Sequence, residues 1–309
     1  MVNKTTIIIG SGPAGASAAI YLARYKHKVI LIDAAPNPYG RTHYAYDLDN
    51  YLTHTQKVSG PQFIKKIDKQ LAIFSVDKIK DKVVKVSKDK SGFKIKTKKG
   101  KVFKADYVVI AVGVLDGYIK LNNIDDFYDN GIYHCITCNW WQNRKRKMVI
   151  VSNSDEGIVI AREIVAMERP PYIAVIPENE GYSYSRNEIE LAKKAKIPIF
   201  ESPLAKINGQ DKFIINLGLV DGTIIDAQCI FTILGYQRRD KFLDEGKIKL
   251  MRNEGGFIKV DFKTFESSLK NLFAVGPCND GPDQAVIAAG QGAMAALEIH
   301  KRIITEKIS

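Results

Sequence analysis

Two apolar runs near the start of the chain flank a helical pattern. Thr5 to Ile9 is a short β-branched run that predicts a strand, and Val29 to Ile32 predicts a second strand that ends at Asp33. Between them, Ala16 to Arg24 has the pattern of a helix with small residues facing the first strand. The intervening turn reads Gly10-Ser11-Gly12-Pro13-Ala14-Gly15. This order of strand, glycine turn, helix, strand and acid predicts a dinucleotide-binding unit.

Each part of this turn has a physical role in such a unit. The glycines let the backbone approach a pyrophosphate, and the start of the helix offers N–H donors that have no partner within the helix. Asp33 can accept hydrogen bonds from ribose hydroxyls. Pro13, inside the turn, is typical of a flavin site rather than a nicotinamide site.

Lysines alternate with apolar residues between Lys78 and Lys104, where Phe93 and Ile95 are examples of the apolar positions. This alternation predicts antiparallel strands with one face in solvent. The segment supplies much of the formal net charge of +12. A solvated surface is the main interpretation, and electrostatic docking of an acidic partner protein is the alternative. Nucleic-acid binding is disfavoured, because the lysines are not interleaved with stacking aromatic residues.

Composition bounds the class of protein. The 309 residues suffice for two domains, and 45% hydrophobic with 26% charged residues is typical of a globular protein. The sequence contains no apolar run of the roughly 20 residues that a membrane helix needs. Met1 to Lys4 leads directly into a strand, so we expect no signal peptide. With four cysteines and no secretory signal, we expect a cytoplasmic protein without a structural disulfide framework.

A pair of cysteines separated by two residues forms the most reactive stretch, Cys135-Ile136-Thr137-Cys138. Such a pair indicates redox chemistry, zinc binding or chance. Zinc needs two further ligands, and neither a second CxxC nor paired histidines supply them at a suitable spacing. Redox chemistry is therefore the favoured interpretation.

Three separated motifs resemble the low-molecular-weight thioredoxin reductase family: Gly10 to Gly15, the Cys135/Cys138 pair, and Ala274-Val275-Gly276 before a small-residue helix. The resemblance implies an α/β fold with two Rossmann-like three-layer nucleotide-binding domains, the second inserted into the first. Residues 1–114 and 242–309 would form the FAD-binding domain, and residues 115–241 the inserted domain that carries the CxxC pair. It also implies a homodimer.

Further segments extend the resemblance. Gly40-Arg41 through Asn50-Tyr51 resembles the segment that wraps the flavin, and Val108 to Gly113 resembles the strand and turn that close the first FAD segment. Gly276 and Gln284-Ala285 resemble the return segment. The positions at which the resemblance implies FAD binding are Gly10, Gly12, Pro13, Ala14, Gly15, Asp33, Gly40, Arg41, Asn50, Val83, Ala111, Gly113, Gly276, Gln284 and Ala285.

The inserted domain departs from the family at its own nucleotide loop. After a predicted strand, Met148 to Val151, the loop reads Ser152-Asn153-Ser154-Asp155-Glu156-Gly157. We interpret this loop as having lost all three phosphate-facing glycines, and its two acids would repel a pyrophosphate. Ile176 to Gly181 is acidic where the family has a basic cluster for the 2′-phosphate. We therefore expect an atypical member in which NADPH is not bound in the usual manner and this domain serves as a scaffold.

The return segment departs as well. Pro277 occupies the position at which the family has an aspartate for the ribityl chain of FAD, and Asp280 or Asp283 is a candidate replacement. We interpret Cys278 as a small half-buried residue and Cys229 as a core residue.

By resemblance, Cys138 faces the flavin and Cys135 exchanges with a substrate disulfide. Asn139, which cannot titrate, follows Cys138 where the family has an acid. The candidate proton carriers are His43, His54 and His134, with His43 preferred over the other two, although a structural role is the commoner one for a lone histidine. Trp140 and Trp141 either shield the pair, present a docking surface or pack in the core.

Three functions remain open. We favour a thioredoxin-reductase-like flavoprotein that passes electrons to a thioredoxin-like protein or a small disulfide from a donor other than NADPH, such as an acidic ferredoxin. A dithiol oxidase that uses oxygen is the second, because Asn50 to His54 followed by Gly60-Pro61 faintly resembles such enzymes. A flavin-binding regulator without turnover is the third, although it would have no physical reason to keep two thiols at the flavin.

Overall fold

A five-stranded parallel sheet and a four-stranded parallel sheet form the centres of two separate units. The computed structural model describes residues 4–36, 40–122, 124–128 and 130–308. The first unit contains Met1–Leu115 and Gln237–Ser309, and the second contains Asp116–Tyr236.

The strands in chain order are β1 (Thr5–Ile9), β2 (Lys28–Asp33), β3 (Asp77–Lys80), β4 (Val83–Asp89), β5 (Gly92–Thr97), β6 (Val102–Ala105), β7 (Tyr107–Ile110), β8 (Val114–Asp116), β9 (Ile132–Tyr133), β10 (Lys147–Ser152), β11 (Tyr172–Ile176), β12 (Leu204–Gln210), β13 (Phe213–Leu219), β14 (Ile224–Asp226), β15 (Cys229–Ile233), β16 (Tyr236–Arg238) and β17 (Leu272–Ala274). The helices are α1 (Pro13–Arg24), α2 (Gly60–Ile73), α3 (Ile136–Asn143), α4 (Asp155–Met167), α5 (Arg186–Lys194), α6 (Lys241–Glu245) and α7 (Ala285–Ile308). Short 3-10 helices span Arg41–Tyr44 and Ile124–Phe127.

In the first unit the parallel sheet has the order β17-β7-β1-β2-β3. Its two faces bury separate apolar clusters, one against α1, α2 and α7 and the other against the antiparallel sheet β4-β5-β6. Helix α1 begins at Pro13 rather than at Ala16, because proline is favoured in the first turn of a helix, where no N–H partner is available. The result is a layer of helices, a parallel sheet and an antiparallel sheet.

The lysine-rich stretch forms the antiparallel sheet, as its alternation predicted. Phe93 and Ile95 on β5 are buried, whereas Lys94 and Lys96 between and beside them are exposed. The buried face of this sheet contributes to the core of the first unit.

The second unit repeats the three layers. Its parallel sheet has the order β11-β10-β15-β9. Residues of α4 and α5, such as Ile158 and Ala192, are buried in the cluster on one face, and residues of the antiparallel sheet β12-β13-β14, such as Ile207 and Leu217, are buried in the cluster on the other. The predicted α/β architecture of two Rossmann-like three-layer units is therefore confirmed. None of the described helices is both long enough and apolar enough to cross a membrane.

Candidate functional site

The glycine turn between β1 and α1 is formed by two glycines that touch backbone and one that faces open space. Gly10 has a φ of +104°, and a Cβ on it would lie 2.3 Å from the carbonyl oxygen of Ala111. A Cβ on Gly15 would lie 1.9 Å from the carbonyl oxygen of Gly10. Apart from its chain neighbours, no described residue has an atom within 4 Å of the Cβ position of Gly12. The turn is thus closely packed from behind and open in front, as a phosphate cradle must be.

Asp33, at the end of β2, fixes this turn. Its Oδ2 accepts a hydrogen bond from the backbone N–H of Ser11 at 2.5 Å, and its Oδ1 accepts one from the backbone N–H of Ala35 at 2.6 Å. Each carboxylate oxygen has a second lone pair, so both can still accept a hydroxyl proton.

A buried polar network holds the segment after β17, and the sequence pattern did not reveal it. Oε1 of Gln291 accepts hydrogen bonds from the backbone N–H of Gly276 at 2.6 Å and from Nδ2 of Asn279 at 2.8 Å. Nδ2 of Asn279 also donates to the carbonyl oxygen of Ala274. Gly276 itself has a φ of +75°, and its Cβ position lies 3.2 Å from the Cβ of Ala14. The network therefore places the return segment beside the glycine turn. A polar Gln291 between Gly290 and Gly292 in an otherwise small and apolar stretch was the available signal.

Two side-chain pairs join the predicted flavin-wrapping segment to the return segment. The guanidinium of Arg41 forms an ion pair with Asp283, and Nδ2 of Asn50 donates to Oε1 of Gln284 at 3.1 Å. The resemblance predicts these two segments one by one, and they lie far apart in the chain. Their side chains are in contact within the first unit. Gln284 immediately precedes α7, which begins at Ala285.

The remaining predicted cofactor positions lie in different surroundings. Among the described residues other than their chain neighbours, no atom lies within 4 Å of the Cβ positions of Gly40 and Gly113. Val83, at the start of β4, is 5% exposed and its side chain packs in the core between the two sheets. Only the backbone of Val83 is suited to contact a ligand.

Asp280 has one carboxylate oxygen without a hydrogen-bond partner among the described residues. This oxygen, Oδ1, is buried. A buried carboxylate oxygen without a donor is costly, so a hydroxyl-bearing ligand would relieve it. Asp283, the other candidate for the missing aspartate at Pro277, is already paired with Arg41. The hydrogen-bonding groups around the turn therefore fit a flavin dinucleotide.

In the second unit, Cys135 and Cys138 form a disulfide with a Cα–Cα distance of 5.3 Å. Cys135 is the N-cap of α3, and its Sγ accepts a hydrogen bond from the backbone N–H of Cys138 at 3.1 Å. Both cysteines are partly exposed. Asn139 is buried, and its carbonyl oxygen accepts from Nδ2 of Asn143 at 2.7 Å. The start of a helix stabilises a thiolate, so reduction of the pair would leave reactive thiols.

The other cysteines are unsuited to exchange. Cys229 and Cys278 are buried and free, as predicted for core residues, although Cys278 is fully rather than half buried. Burial raises the pKa of each thiol to about 12. Neither forms a thiolate near neutral pH.

The three candidate histidines have different surroundings. Nδ1 of His134, the residue before Cys135, lies 2.5 Å from Oγ1 of Thr232. Nδ1 of His54 lies 3.1 Å from the carbonyl oxygen of Leu48, and the ring packs against Tyr51 and Phe63. His54 thus has the surroundings of a structural residue. His43 lies in the 3-10 helix Arg41–Tyr44 of the first unit, with its ring edge-on to Tyr44.

The two tryptophans differ in burial. Trp140 packs against the helical-side core of the second unit, and its Nε1 is buried without a hydrogen-bond partner among the described residues. Trp141 is 60% exposed, and the guanidinium carbon of Arg144 lies 3.7 Å from its ring centroid. Trp141, six residues after Cys135, is therefore the aromatic surface of this helix.

The loop between β10 and α4 is closed by side chains and by a neighbouring segment. Oγ of Ser152 donates to the carbonyl oxygen of Ser154 at 3.1 Å, and the hydroxyl of Tyr184 donates to the carbonyl oxygen of Ser152 at 2.6 Å. Oδ1 of Asp155 accepts from the backbone N–H of Ser185 at 2.7 Å. Burial, the largest cause, raises the pKa of Tyr184, with the neighbouring Tyr182 and Asp155 adding to the shift.

More bonds tie this loop to the stretch between β11 and α5. The carbonyl oxygen of Asn153 accepts from the N–H of Ser183 at 2.9 Å, and Oδ1 of Asn153 accepts from the N–H of Glu178 at 2.8 Å. Glu178 and Glu180 keep this stretch acidic up to Arg186, the first residue of α5. Polar groups of Ser152, Asn153 and Asp155, just before and at the start of α4, thus have hydrogen-bond partners within the protein.

The expectation that all three glycines are lost from this loop was wrong at its last position. A Cβ on Gly157 would lie 2.3 Å from the Cβ of Ser152, so this glycine is required for packing of α4 against the end of β10. It occupies the place that Gly15 has in the first unit. Only the first two positions, Ser152 and Ser154, have lost their glycines.

The family described as pyridine nucleotide-disulphide oxidoreductase matches residues 4–292. Among curated proteins, the chain is similar to the thioredoxin reductase of Rickettsia felis, at 27% identity over 317 residues that cover 97% of this chain and 98% of the relative. The crystal structure of the thioredoxin reductase of Streptococcus pyogenes has a TM-score of 0.86 at 23% identity and covers 98% of this chain and 99% of that one. The thioredoxin reductase of Giardia duodenalis has a TM-score of 0.85 at 24% identity, covering 97% and 99%. The two solved structures show similarity of fold.

Proposed function

The chain belongs to the pyridine nucleotide-disulphide oxidoreductase family, and from that premise we propose that it reduces the disulfide of a thioredoxin-like protein with electrons from a donor other than NADPH. It is a flavoprotein disulfide oxidoreductase of the thioredoxin-reductase-like class. The disulfide between Cys135 and Cys138 at the start of α3 is the observation that carries the proposal.

We assign FAD to the first unit. The packed glycines 10 and 15, the open Gly12, and the pairs Arg41–Asp283 and Asn50–Gln284 support this assignment. Bound FAD supplies two-electron transfer to and from the cysteine pair. In this proposal Gly12 and the first turn of α1 hold the phosphates, Asp33 accepts from a ribose hydroxyl, and the unsatisfied Oδ1 of Asp280 accepts from a hydroxyl of the ribityl chain.

In the exchange step, bonds form and break only among the sulfur atoms of the two cysteines and the partner. The Cys135 thiolate attacks one sulfur of the partner disulfide and forms a mixed disulfide. Cys138 then attacks the sulfur of Cys135, which restores the Cys135–Cys138 bond and releases the partner as a dithiol. The partner thus gains two electrons and two protons, and the start of α3 favours the thiolate form of both attacking cysteines.

Proton transfer needs a titratable group, since Asn139 cannot supply one. His43 is the candidate that we carry forward from the sequence, and His134 competes because it directly precedes Cys135. The exposed Trp141, beside Arg144 on the same helix as the pair, is suited to contact a thioredoxin-like partner.

The closed Ser152–Gly157 loop supports a donor other than NADPH. Serine side chains replace two glycines there, and Tyr184 and Ser185 bond to the loop. An acidic ferredoxin is compatible with the net charge of +12.

The test is anaerobic reduction of the flavin. Purified protein is mixed with NADPH, NADH, dithionite-reduced ferredoxin or a dithiol, and the flavin absorbance is followed. We expect ferredoxin and the dithiol to bleach the flavin, and neither nicotinamide to do so at a useful rate. Rapid bleaching by NADPH would overturn the donor proposal, and rapid recolouring in air after bleaching by a dithiol would favour a dithiol oxidase.

Matched cysteine variants test the site. Cys138→Ser and Cys135→Ser should abolish disulfide turnover, whereas Cys229→Ala, which removes a buried thiol from the same unit, should keep it. If Cys138→Ser kept its turnover, the cysteine pair would have no part in the mechanism. If the wild type showed no turnover and the variants bound the partner as tightly as the wild type does, a binding protein would be favoured.

A further inference from the structure

A basic concavity lies in the first unit, next to the predicted flavin-wrapping segment. It has a volume of about 440 Å³ and is formed by the chain before α2 and the first turns of that helix. Its lining residues are Thr53, His54, Thr55, Gln56, Lys57, Val58, Gln62, Lys65, Lys66 and Lys69. Four of them are lysines and none is acidic. We call this surface the α2 basic concavity.

The lysines on α2 are available to a partner. Lys65, Lys66 and Lys69 are exposed, and none of them forms an ion pair among the described residues. Lys57 is partly engaged, because its Nζ lies 3.1 Å from the ring centroid of Tyr46. Unpaired lysines around a hollow create a positive potential that attracts an acidic surface.

Hydrogen bonds connect the wall of the concavity to the flavin-wrapping segment. The N–H of Leu48 donates to the carbonyl oxygen of Val58 at 3.0 Å, and the N–H of Val58 donates to Oδ1 of Asp47 at 3.0 Å. The N–H of His54 donates to the carbonyl oxygen of Tyr51 at 3.1 Å. The wall is therefore built on the same stretch that holds Asn50, the residue bonded to Gln284.

The start of α2 offers no backbone donors to a small anion. The N–H of Gly60 donates to the carbonyl oxygen of Ala45 at 2.7 Å, and Pro61 has no N–H. The N–H of Gln62 is taken by the Ser59 side chain in a capping box, and the N–H of Phe63 donates to the carbonyl oxygen of Ser59. A phosphate site at a helix start depends on free N–H groups, which this helix lacks. Mobile lysine side chains on an open rim suit the carboxylates of a protein surface better.

We propose that the α2 basic concavity is the docking surface for an acidic one-electron carrier protein that delivers electrons to the flavin. This inference rests on the proposed function, in which NADPH is not the donor, and it specifies where the donor binds. Two encounters with the reduced carrier supply the two electrons that one disulfide requires, and each carrier leaves oxidised by one electron. The protons come from solvent.

The experiment compares charge reversals on two basic surfaces of the same unit. The test variant carries Lys65→Glu, Lys66→Glu and Lys69→Glu. The control carries Lys94→Glu, Lys96→Glu and Lys98→Glu, three exposed lysines on or after β5 with the same total change in charge. Flavin bleaching is followed anaerobically at low ionic strength with a dithionite-reduced acidic bacterial ferredoxin or with reduced methyl viologen, a small cation that needs no docking surface.

We expect ferredoxin to bleach the flavin of the test variant at least ~10-fold more slowly than that of the control, and added salt to narrow the difference. Reduced methyl viologen should bleach both variants at the wild-type rate. The matching variant with Lys65, Lys66 and Lys69 changed to glutamine should be bleached by ferredoxin at an intermediate rate. It replaces the glutamate variant in the comparison if that variant does not fold.

Equal slowing of both charge-reversed variants by ferredoxin would overturn the docking site while leaving the donor proposal intact. So would a ferredoxin rate in the test variant equal to that of the wild type. Failure of ferredoxin to bleach the wild-type flavin, with methyl viologen still effective, would instead overturn the donor. Micromolar inorganic pyrophosphate could also slow flavin bleaching by ferredoxin in the wild type but not in the test variant. That result would identify a small-anion site and contradict protein docking.

Discussion

The two units present the same strand, turn and helix with different chemistry at the turn. Gly10, Gly12 and Gly15 connect β1 to α1, and Ser152, Ser154 and Gly157 connect β10 to α4. In each unit the third position packs against the first. A Cβ on Gly15 would lie 1.9 Å from the carbonyl oxygen of Gly10, and a Cβ on Gly157 would lie 2.3 Å from the Cβ of Ser152. The third glycine is thus required by the fold, whereas the first two are required only where a ligand must approach the backbone.

The backbone of the first position differs accordingly. Gly10 has a φ of +104°, a conformation that Ser152 does not adopt. In front of Gly12 the space is open, whereas Tyr184 and Ser185 bond to the loop that contains Ser154. The second unit therefore keeps the strand, turn and helix with serines in place of the first two glycines.

The largest expected effect is that of Gly15→Ala. A new Cβ would lie 1.9 Å from a backbone oxygen, which cannot move aside as a side chain can. We expect the free energy of unfolding to fall by about 3 kcal/mol or more, with loss of flavin from the purified protein. Chemical denaturation and flavin absorbance per protein measure the two effects. Gly157→Ala is the counterpart in the second unit, and it should destabilise the protein without removing flavin.

Gly12→Ala separates packing from ligand binding at the same turn. Its φ is −66° and its Cβ position is open, so the fold should keep its wild-type melting temperature. The dissociation constant of FAD should rise by ~10-fold or more, because the methyl group holds a phosphate away from the backbone donors. An unchanged dissociation constant would contradict the assignment of this turn to FAD.

Asp280→Asn comes next in size. The change removes a charge whose buried Oδ1 has no donor among the described residues, so the apoprotein should be as stable as the wild type or more stable. The dissociation constant of FAD should nevertheless rise by ~10-fold, the effect of one charge-assisted hydrogen bond. Fluorescence titration of the apoprotein measures it, with the exposed Glu254→Gln as control. A destabilised apoprotein with normal FAD affinity would assign Asp280 a structural role.

Opening the second loop should have a small effect. The triple variant Ser152→Gly, Ser154→Gly, Asp155→Ala restores two glycines and removes one acid. NADPH should then bleach the flavin no more than ~10-fold faster than in the wild type, because the acidic stretch at Glu178 and Glu180 remains. Stopped-flow absorbance with NADPH measures the rate. A gain to a full turnover rate would mean that these three side chains alone exclude the nicotinamide.

The smallest predicted effect concerns pH and the end of α1. Burial lowers the pKa of His27 below its usual value of 6.5, helped by the charges of His300 and Lys307. Nε2 of His27 lies 2.9 Å from Nδ1 of His300, whose ring stacks on Tyr25. The folded state thus favours neutral His27, and its stabilising contribution is complete above pH 6.5 and declines as the pH falls towards the lowered pKa.

His27→Gln should therefore flatten the loss of melting temperature on acidification from about pH 8 to about pH 5. The measurement is the slope of melting temperature against pH, compared between the wild type and the variant. Parallel slopes would show that His27 does not couple to folding. The second unit, which lacks this histidine pair, should give the same proteolytic fragment pattern in both proteins over this range.

Much of the fold was predictable from local pattern. The strand at Thr5–Ile9 and the lysine-rich antiparallel sheet follow from the spacing of apolar residues, which each segment carries on its own. The cysteine pair was predictable for the same reason, because a spacing of two residues brings both thiols to one turn of a helix. The role of Gly157 was misjudged, because the residue against which it packs, Ser152, is identified only by the folded turn.

The sequence by itself determined which segments bear chemistry, namely the glycine turn, the Cys135–Cys138 pair and the acidic loop. Only the tertiary structure decided which of their groups are satisfied. It joined Gln291 to Gly276 and Asn279, bonded Tyr184 to Ser152, and left Oδ1 of Asp280 without a donor in the part of the chain that the structure describes. Hydrogen bonding and burial depend on residues that are distant in the chain, so no local pattern encodes them.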